Sequence, residues 1–212
     1  MSEKMTAERG RFIVMEGLDG SGKTTQLVRL AKHLRERGRK VYLTAEPTVS
    51  TTGGMLRDAL GGVTRKTPCE LAAMFVLDRI FHNVNPVNGI NKMLGSGYDV
   101  ICDRYYYSSL AYQGSETDFE WVRAMNINCP EIRRPDLCIF LDLDPEICMK
   151  RIGSDRTTTE IYEKKETLER VRARYMDIFA QLDDNVIVID TAPDIDSVAA
   201  EVCRAADEIC RD

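Results

Sequence analysis

The stretch Phe12-Ile13-Val14-Met15-Glu16-Gly17-Leu18-Asp19-Gly20-Ser21-Gly22-Lys23-Thr24-Thr25 decides the fold. Residues 17–24 fit Gly-x-x-x-x-Gly-Lys-Ser/Thr, an apolar run precedes them, and the helical pattern Leu27, Leu30, Ala31, Leu34 follows. A strand that turns through glycines into a helix makes a phosphate cradle. Backbone N–H groups crowd round an anion, and the helix adds its positive dipole end at the same point. Gly17, Leu18, Asp19, Gly20, Ser21, Gly22, Lys23, Thr24 and Thr25 are therefore expected to hold a polyphosphate. Lys23 would reach its outer phosphates, and the Thr24 hydroxyl suits a magnesium ion, which prefers hard oxygen ligands. A glycine-rich turn without ligand is the alternative; the strand before and the helix after weigh against it.

The chain has 212 residues, 43% of them hydrophobic, and a formal net charge of -5. That is enough for one α/β domain with a real core, and a single domain over the whole chain is expected. The acidic balance argues against a broad nucleic-acid surface and for a small ligand. Seven cysteines lie at 69, 102, 129, 138, 148, 203 and 210, none at Cys-x-x-Cys spacing. They read as reduced thiols, several inside apolar runs, which suits the cytoplasm. No stretch approaches the ~20 apolar residues of a membrane span, and no signal-peptide pattern opens the chain.

Apolar runs alternate with helical patterns, which predicts a parallel sheet covered by helices on both faces. The five strand candidates are Phe12 to Met15, Val41 to Leu43, Val100 to Cys102, Leu137 to Leu141 and Val186 to Ile189. Gly38 is placed to end the first helix, and Glu46-Pro47 breaks regularity after the second strand. Thr67-Pro68-Cys69-Glu70 is a capping box that starts a helix bearing Phe75, Asp78, Arg79 and His82. Helical stretches are also predicted near Ile90 to Leu94, over Phe119 to Ile127, from Pro145 to about Ile152, from Glu160 to Leu182, and after the cap Asp194. In such sheets ligands bind at the carboxyl ends of the strands.

Asp103 ends the third strand, where a carboxylate can hold water on a magnesium ion at Thr24, and Arg104 beside it can clamp a phosphate. A structural ion pair is the plainer reading. Asp142 and Asp144 offer a rival carboxylate, but Pro145 makes Asp144 look like a helix start.

At this point the sequence resembles thymidylate kinases over most of its length. The resemblance rests on Glu16 to Thr25, Glu46-Pro47, Arg57, Phe75 to Arg79, Asp103-Arg104-Tyr105 with Ser108-Ser109, Ala111-Tyr112-Gln113-Gly114, and a lid over 151–163. It implies the three-layer phosphate-loop (P-loop NTPase) fold of nucleoside monophosphate kinases, a short lid, a homodimer, and transfer of the ATP γ-phosphoryl group to dTMP with magnesium. It also implies that Phe75 stacks on thymine, Arg79 donates to the base edge, Arg104 and Arg57 hold the dTMP phosphate, and Tyr112 sits against the deoxyribose. Ser109, Gln113 and Glu46 are further acceptor-side candidates, and Asp19 resembles a loop carboxylate near magnesium. From the residues alone, a phenylalanine such as Phe75 on an amphipathic helix is more often core than a base platform, and a surface ion pair is a fair alternative for Arg57. Some family members carry a catalytic arginine inside the phosphate loop. Gly20 stands there, so the lid is expected to supply the cation, from Arg156 and Arg151 first and Lys150 after them. After Glu46-Pro47 the chain departs from the Gly-Gly-Thr turn of many relatives, with Thr48-Val49-Ser50.

Two rival readings remain. The nearer is another phosphate-loop kinase, acting on a different nucleoside monophosphate or on a deoxynucleoside; a nucleoside acceptor would need a carboxylate base, for which Glu46 could serve. A guanine-nucleotide switch would need Asn-Lys-x-Asp, and Asn91-Lys92-Met93-Leu94 lacks the aspartate.

Overall fold

The structure is a computed structural model that describes residues 9–155 and 165–211. Five parallel strands, β1 (Phe12–Gly17), β2 (Lys40–Ala45), β3 (Tyr98–Asp103), β4 (Leu137–Asp142) and β5 (Val186–Asp190), form one sheet in the order β2-β3-β1-β4-β5. All five expected strands are present. Side chains of a strand alternate between faces, and β1 shows it. Phe12 and Val14 join one core cluster, Ile13 and Met15 the other.

Helices α1 (Lys23–Glu36) and α9 (Ile195–Cys210) cover one face, through Leu27, Leu30, Leu34, Val198 and Val202. The opposite face is covered by α3 (Pro68–Val84), α5 (Tyr106–Ala111), α6 (Phe119–Ile127) and α8 (Lys165–Gln181). Short α4 (Ile90–Gly95) leads into β3, and α7 (Pro145–Asp155) follows β4. Tyr105, Tyr106 and Tyr107 pack in this second core, and the latter two reach the Asp184 carboxylate at 2.6 and 2.9 Å. A buried phenol without such a partner would cost about 1–3 kcal/mol.

The capping box is present in full. Thr67 Oγ1 accepts from Glu70 N, and Glu70 returns to Thr67 N, with Pro68 in the first helical turn. Three features were not legible in the sequence. Helix α2 (Thr51–Leu60) fills the stretch after Pro47, where regularity was expected to break, with Ser50 as its cap. Helix α5 and the 3-10 turn Gln113–Ser115 also occupy a segment with no helical pattern. Helix α7 runs past Ile152, and the expected helix start at Glu160 lies outside the described residues. All seven cysteines are free, and no helix among the described residues is long and apolar enough to cross a membrane.

Candidate active site

Register brings the site together. Met15 lies beside Asp103, Ala45 beside Asp103 on the other side, and Gly17 beside Leu141. The phosphate loop, Glu46 and Asp103-Arg104 therefore emerge along one carboxyl edge.

Helices α2, α3, α6 and α9 each begin with a side chain that accepts a backbone N–H. Helix α1, like the short α4 and α5, has no side-chain cap hydrogen bond, and its cap is Gly22, with φ of 96°. The N–H groups of its first turn are left for an anion. Lys23 is buried, its Nζ donating to Gly17 O at 3.0 Å and Leu18 O at 2.9 Å, with Asp19 at 3.6 Å. Burial and the neighbouring Arg104 pull its pKa below the ordinary lysine value, against the carboxylates of Asp19, Asp103 and Glu16.

The loop opens on a cleft of about 640 Å³ that runs past Thr24, Thr25, Asp103, Arg104 and Arg151 to Pro193, Ile195 and Val198. Its far apolar end was not legible in the sequence, because Pro193 lies between β5 and α9 and Ile195 and Val198 lie in the first turn of α9, about 170 residues from the loop. A Cβ on Gly20 would lie 2.7 Å from Cys148 O, and Gly20 has φ of 81°, so the first turn of α7 leaves no room there for a side chain. On α7, Arg151 Nη1 donates to Gly20 O at 3.2 Å.

A second cleft of about 400 Å³ is lined by Arg57, Phe75, Arg79, Tyr112 and Gln113. Asp19, Glu46 and Arg104 line both clefts, so the two meet there. Arg104 is the one non-glycine residue with positive φ among the described residues, at 66°. Such a backbone costs free energy and persists where surroundings fix it. Here Nη2 donates to Asp19 at 2.7 Å, Nη1 to Ser108 Oγ at 2.9 Å, and the guanidinium lies 5.6 Å from the Tyr112 ring. Burial opposes the Arg104 charge, but Asp19 and the surrounding acidic groups hold its pKa well above the ordinary value.

Beneath it, Glu16 is fully buried. It accepts from Tyr105 N at 2.8 Å, Ser108 N at 3.2 Å, Ser108 Oγ at 2.7 Å and Tyr175 Oη at 2.9 Å. Burial raises its pKa, a rise that Arg104 and these donors reduce without cancelling. The Glu16 knot holds the turn that aims Arg104; Tyr175, an unremarked member of an apolar helix stripe, was not readable from sequence.

Arg79 is buried. Its Nε donates to Glu46 Oε2 at 2.8 Å, Nη2 to Ser109 Oγ at 3.1 Å, and Nη1 to Asn126 Oδ1. Ser109 thus touches Arg79, and Asn126, on α6, gave no signal in the sequence. Arg57 is exposed, and Nη1 donates to Thr48 O at 2.5 Å and Pro47 O at 3.2 Å rather than to a carboxylate. The Thr48-Val49-Ser50 turn is tied down by Asp78, which accepts from Thr48 N, Thr48 Oγ1 and Thr52 Oγ1 at 2.6–2.8 Å. Burial alone would raise the Asp78 pKa; these donors outweigh it and leave it lowered.

The rival carboxylates are committed elsewhere. Asp142 makes a two-point contact with Arg172 at 2.6 and 2.7 Å, and Asp144 Oδ1 accepts from Glu146 N at the start of α7. Asp103 Oδ1, by contrast, is buried without a hydrogen-bond partner among the described residues. Lys150 pairs with Glu146 at 3.0 Å. Arg156 lies outside the described residues.

A five-stranded parallel sheet with a phosphate loop at its carboxyl edge and a second cleft abutting the first is the architecture of a phosphate-loop nucleotide-binding protein. The family model described as thymidylate kinase matches residues 15–202. A protein named "Probable thymidylate kinase" from Pyrococcus horikoshii is 37% identical over 201 residues, covering 92% of this chain and 94% of its own. Proteins of the same name from Methanocaldococcus jannaschii and Methanococcus aeolicus are 38% and 41% identical, the first covering 85% of this chain and 86% of its own, the second 79% of each. The chain belongs to the thymidylate kinase family.

Proposed function

We propose that this protein transfers the γ-phosphoryl group of ATP to dTMP, giving ADP and dTDP. The observation that carries the reading is that both clefts share Asp19, Glu46 and Arg104. A triphosphate seated on the loop and a monophosphate in the second cleft would then meet phosphate to phosphate. The acceptor phosphate has a second pKa near ~6, so its attacking oxygen is mostly ionised at neutral pH and no general base is needed. This weighs against a nucleoside acceptor, for which Glu46 would have to take a proton. Glu46 is already engaged by Arg79 and by His82, at 2.8 and 2.9 Å.

Catalysis then reduces to positioning and charge. Lys23 and the loop N–H groups hold the donor phosphates. Arg104, fixed by Asp19 and Ser108, holds the acceptor phosphate with Arg57. Phe75 offers its ring to thymine, Arg79 its donors, and Tyr112 and Gln113 line the sugar side. Thr24 and Asp103 fit magnesium: both give hard oxygens, and Asp103 Oδ1 is an unengaged buried acceptor. Bound there, the ion would neutralise phosphate charge and leave most of its shell to phosphate and water.

Transition-state charge is assigned to Arg151 and Arg156, because Gly20 cannot carry a side chain. Arg156→Ala should lower kcat by at least about 10²-fold at saturating ATP and magnesium; turnover within a few-fold of wild type would remove Arg156 from the mechanism. Assembly as a homodimer belongs to the same reading, and the exposed apolar stripe Leu77, Phe81 and Val84 along α3 is consistent with a covered face. The deciding experiment is diphosphate formation from a panel of nucleoside monophosphates with ATP and magnesium. Preference for dTMP is expected; equal use of AMP, CMP or GMP would end the substrate assignment.

A further inference from the structure

His82 sits three residues after Arg79 on α3, so the two side chains leave the same face of the helix. It is buried, yet it does not line the acceptor cleft; it faces the neighbouring groove bounded by β2 and the end of α3. Nδ1 is 2.9 Å from Glu46 Oε1 and Nε2 is 2.7 Å from Thr44 Oγ1. With the proton on Nδ1, the ring donates to the carboxylate and accepts from the hydroxyl.

The effect of that ring passes through Glu46. The final torsion of a glutamate is broad, so a carboxylate held by one partner can swivel and carry that partner with it. Here His82 takes Oε1, and Oε2 alone faces Arg79, 2.8 Å from Nε and 2.7 Å from Nη2. With Asn126 on Nη1 and Ser109 on Nη2, the guanidinium plane is held from three sides. All three Arg79 nitrogens are engaged in this way. Glu46 is the charged partner of the three, and His82 holds its other oxygen.

We propose that His82 is a positioning residue for base selection: by clamping Oε1 of Glu46 from outside the acceptor cleft, it fixes the plane in which Arg79 offers N–H donors, favouring a base edge that presents a carbonyl over one that presents an amino group. The proposal rests on the reading of Arg79 as the base-facing residue of a thymidylate-phosphorylating enzyme. Thr44 orients the ring and belongs to the same relay. A purine or pyrimidine amino group would meet fixed donors head on, leaving an unpaired contact of the kind that discriminates strongly.

The test compares two substitutions that each keep one half of the imidazole. In His82→Asn the amide nitrogen takes the place of Nδ1 and keeps the Glu46 contact. In His82→Gln it takes the place of Nε2, keeps Thr44 and releases Glu46. Steady-state kcat/KM is measured on the full chain for dTMP and dCMP, with KM for ATP alongside. His82→Gln should lose about tenfold of the dTMP over dCMP preference, through KM for dTMP, with KM for ATP unchanged; His82→Asn should keep most of the preference. An unchanged preference in His82→Gln, or an equal loss with both acceptors, would overturn the proposal, the second because a merely structural role scales both alike. If His82→Gln does not fold, Thr44→Val decides, since it frees the ring while leaving it in place. A smaller loss in the same direction supports the relay, and an unaltered preference overturns it. A wild-type enzyme with no preference for dTMP would instead overturn the functional reading itself.

Discussion

The donor and acceptor clefts share a floor but are built in opposite ways. The donor side is made largely of backbone from one contiguous stretch, residues 17–25, aimed by β1 and α1. The acceptor side is made of side chains drawn from α2, α3, α5, α6 and the β2–α2 turn, joined by buried hydrogen bonds from Glu46 to Arg79 to Asn126 and Ser109. Backbone N–H groups bind whatever carries phosphate; side-chain donors held in one plane choose among bases. On the proposed reading, one half of the site supplies generic affinity and the other discrimination.

The contrast can be broken most severely on the acceptor side. Arg79→Met strands the buried Glu46 charge and should cost about 3–5 kcal/mol of stability, read by denaturant unfolding; the double variant with Glu46→Gln should recover part of it. If the single change cost less than 1 kcal/mol, the acceptor network would not be the rigid body described. On the donor side, Lys23→Met should lower kcat by about 10²–10³-fold for every acceptor tested, since the loop does not read bases. A loss that depended on the acceptor would blur the division between the halves. Gly20→Ala sharpens the backbone argument. The added carbon meets Cys148 O, so a loss of about 1–3 kcal/mol and a Tm lowered by roughly 2–4 °C per kcal/mol are expected, with dTMP binding retained.

The smallest effect concerns the shared floor. The Glu16 pKa is raised in the folded state, chiefly by burial, so above the unfolded value of 4.5 the native protein binds more protons than the unfolded chain. Its contribution therefore falls as pH rises through that window. Glu16→Gln lacks this term, and its stability relative to wild type should increase as pH is raised from about 4.5 towards neutrality. A Tm difference that stayed flat with pH would mean that the knot carries no titrating proton.

What the sequence revealed follows the same divide. The loop, the five strands, the capping box at Thr67 and the carboxylate at Asp103 each lie in a few consecutive residues whose local chemistry is distinctive. Asp142 and Asp103 look alike in sequence; only the bidentate Arg172 contact, thirty residues along the chain, separates them. Asn126 and Tyr175 sit at unexceptional helical positions, and nothing local marks them as partners of Arg79 and Glu16. Helix α2 went unread because Gly53 and Gly54 disfavour a helix, whereas the Ser50 cap and the Asp78 contacts from a distant helix stabilise one.

The wall that Cys148 raises against Gly20 also limits how this enzyme can change. A single codon step to arginine at position 20 would drive a side chain towards the main chain of α7, so on the proposed reading the cation could not pass from lid to loop unless the first turn of α7 moved beforehand.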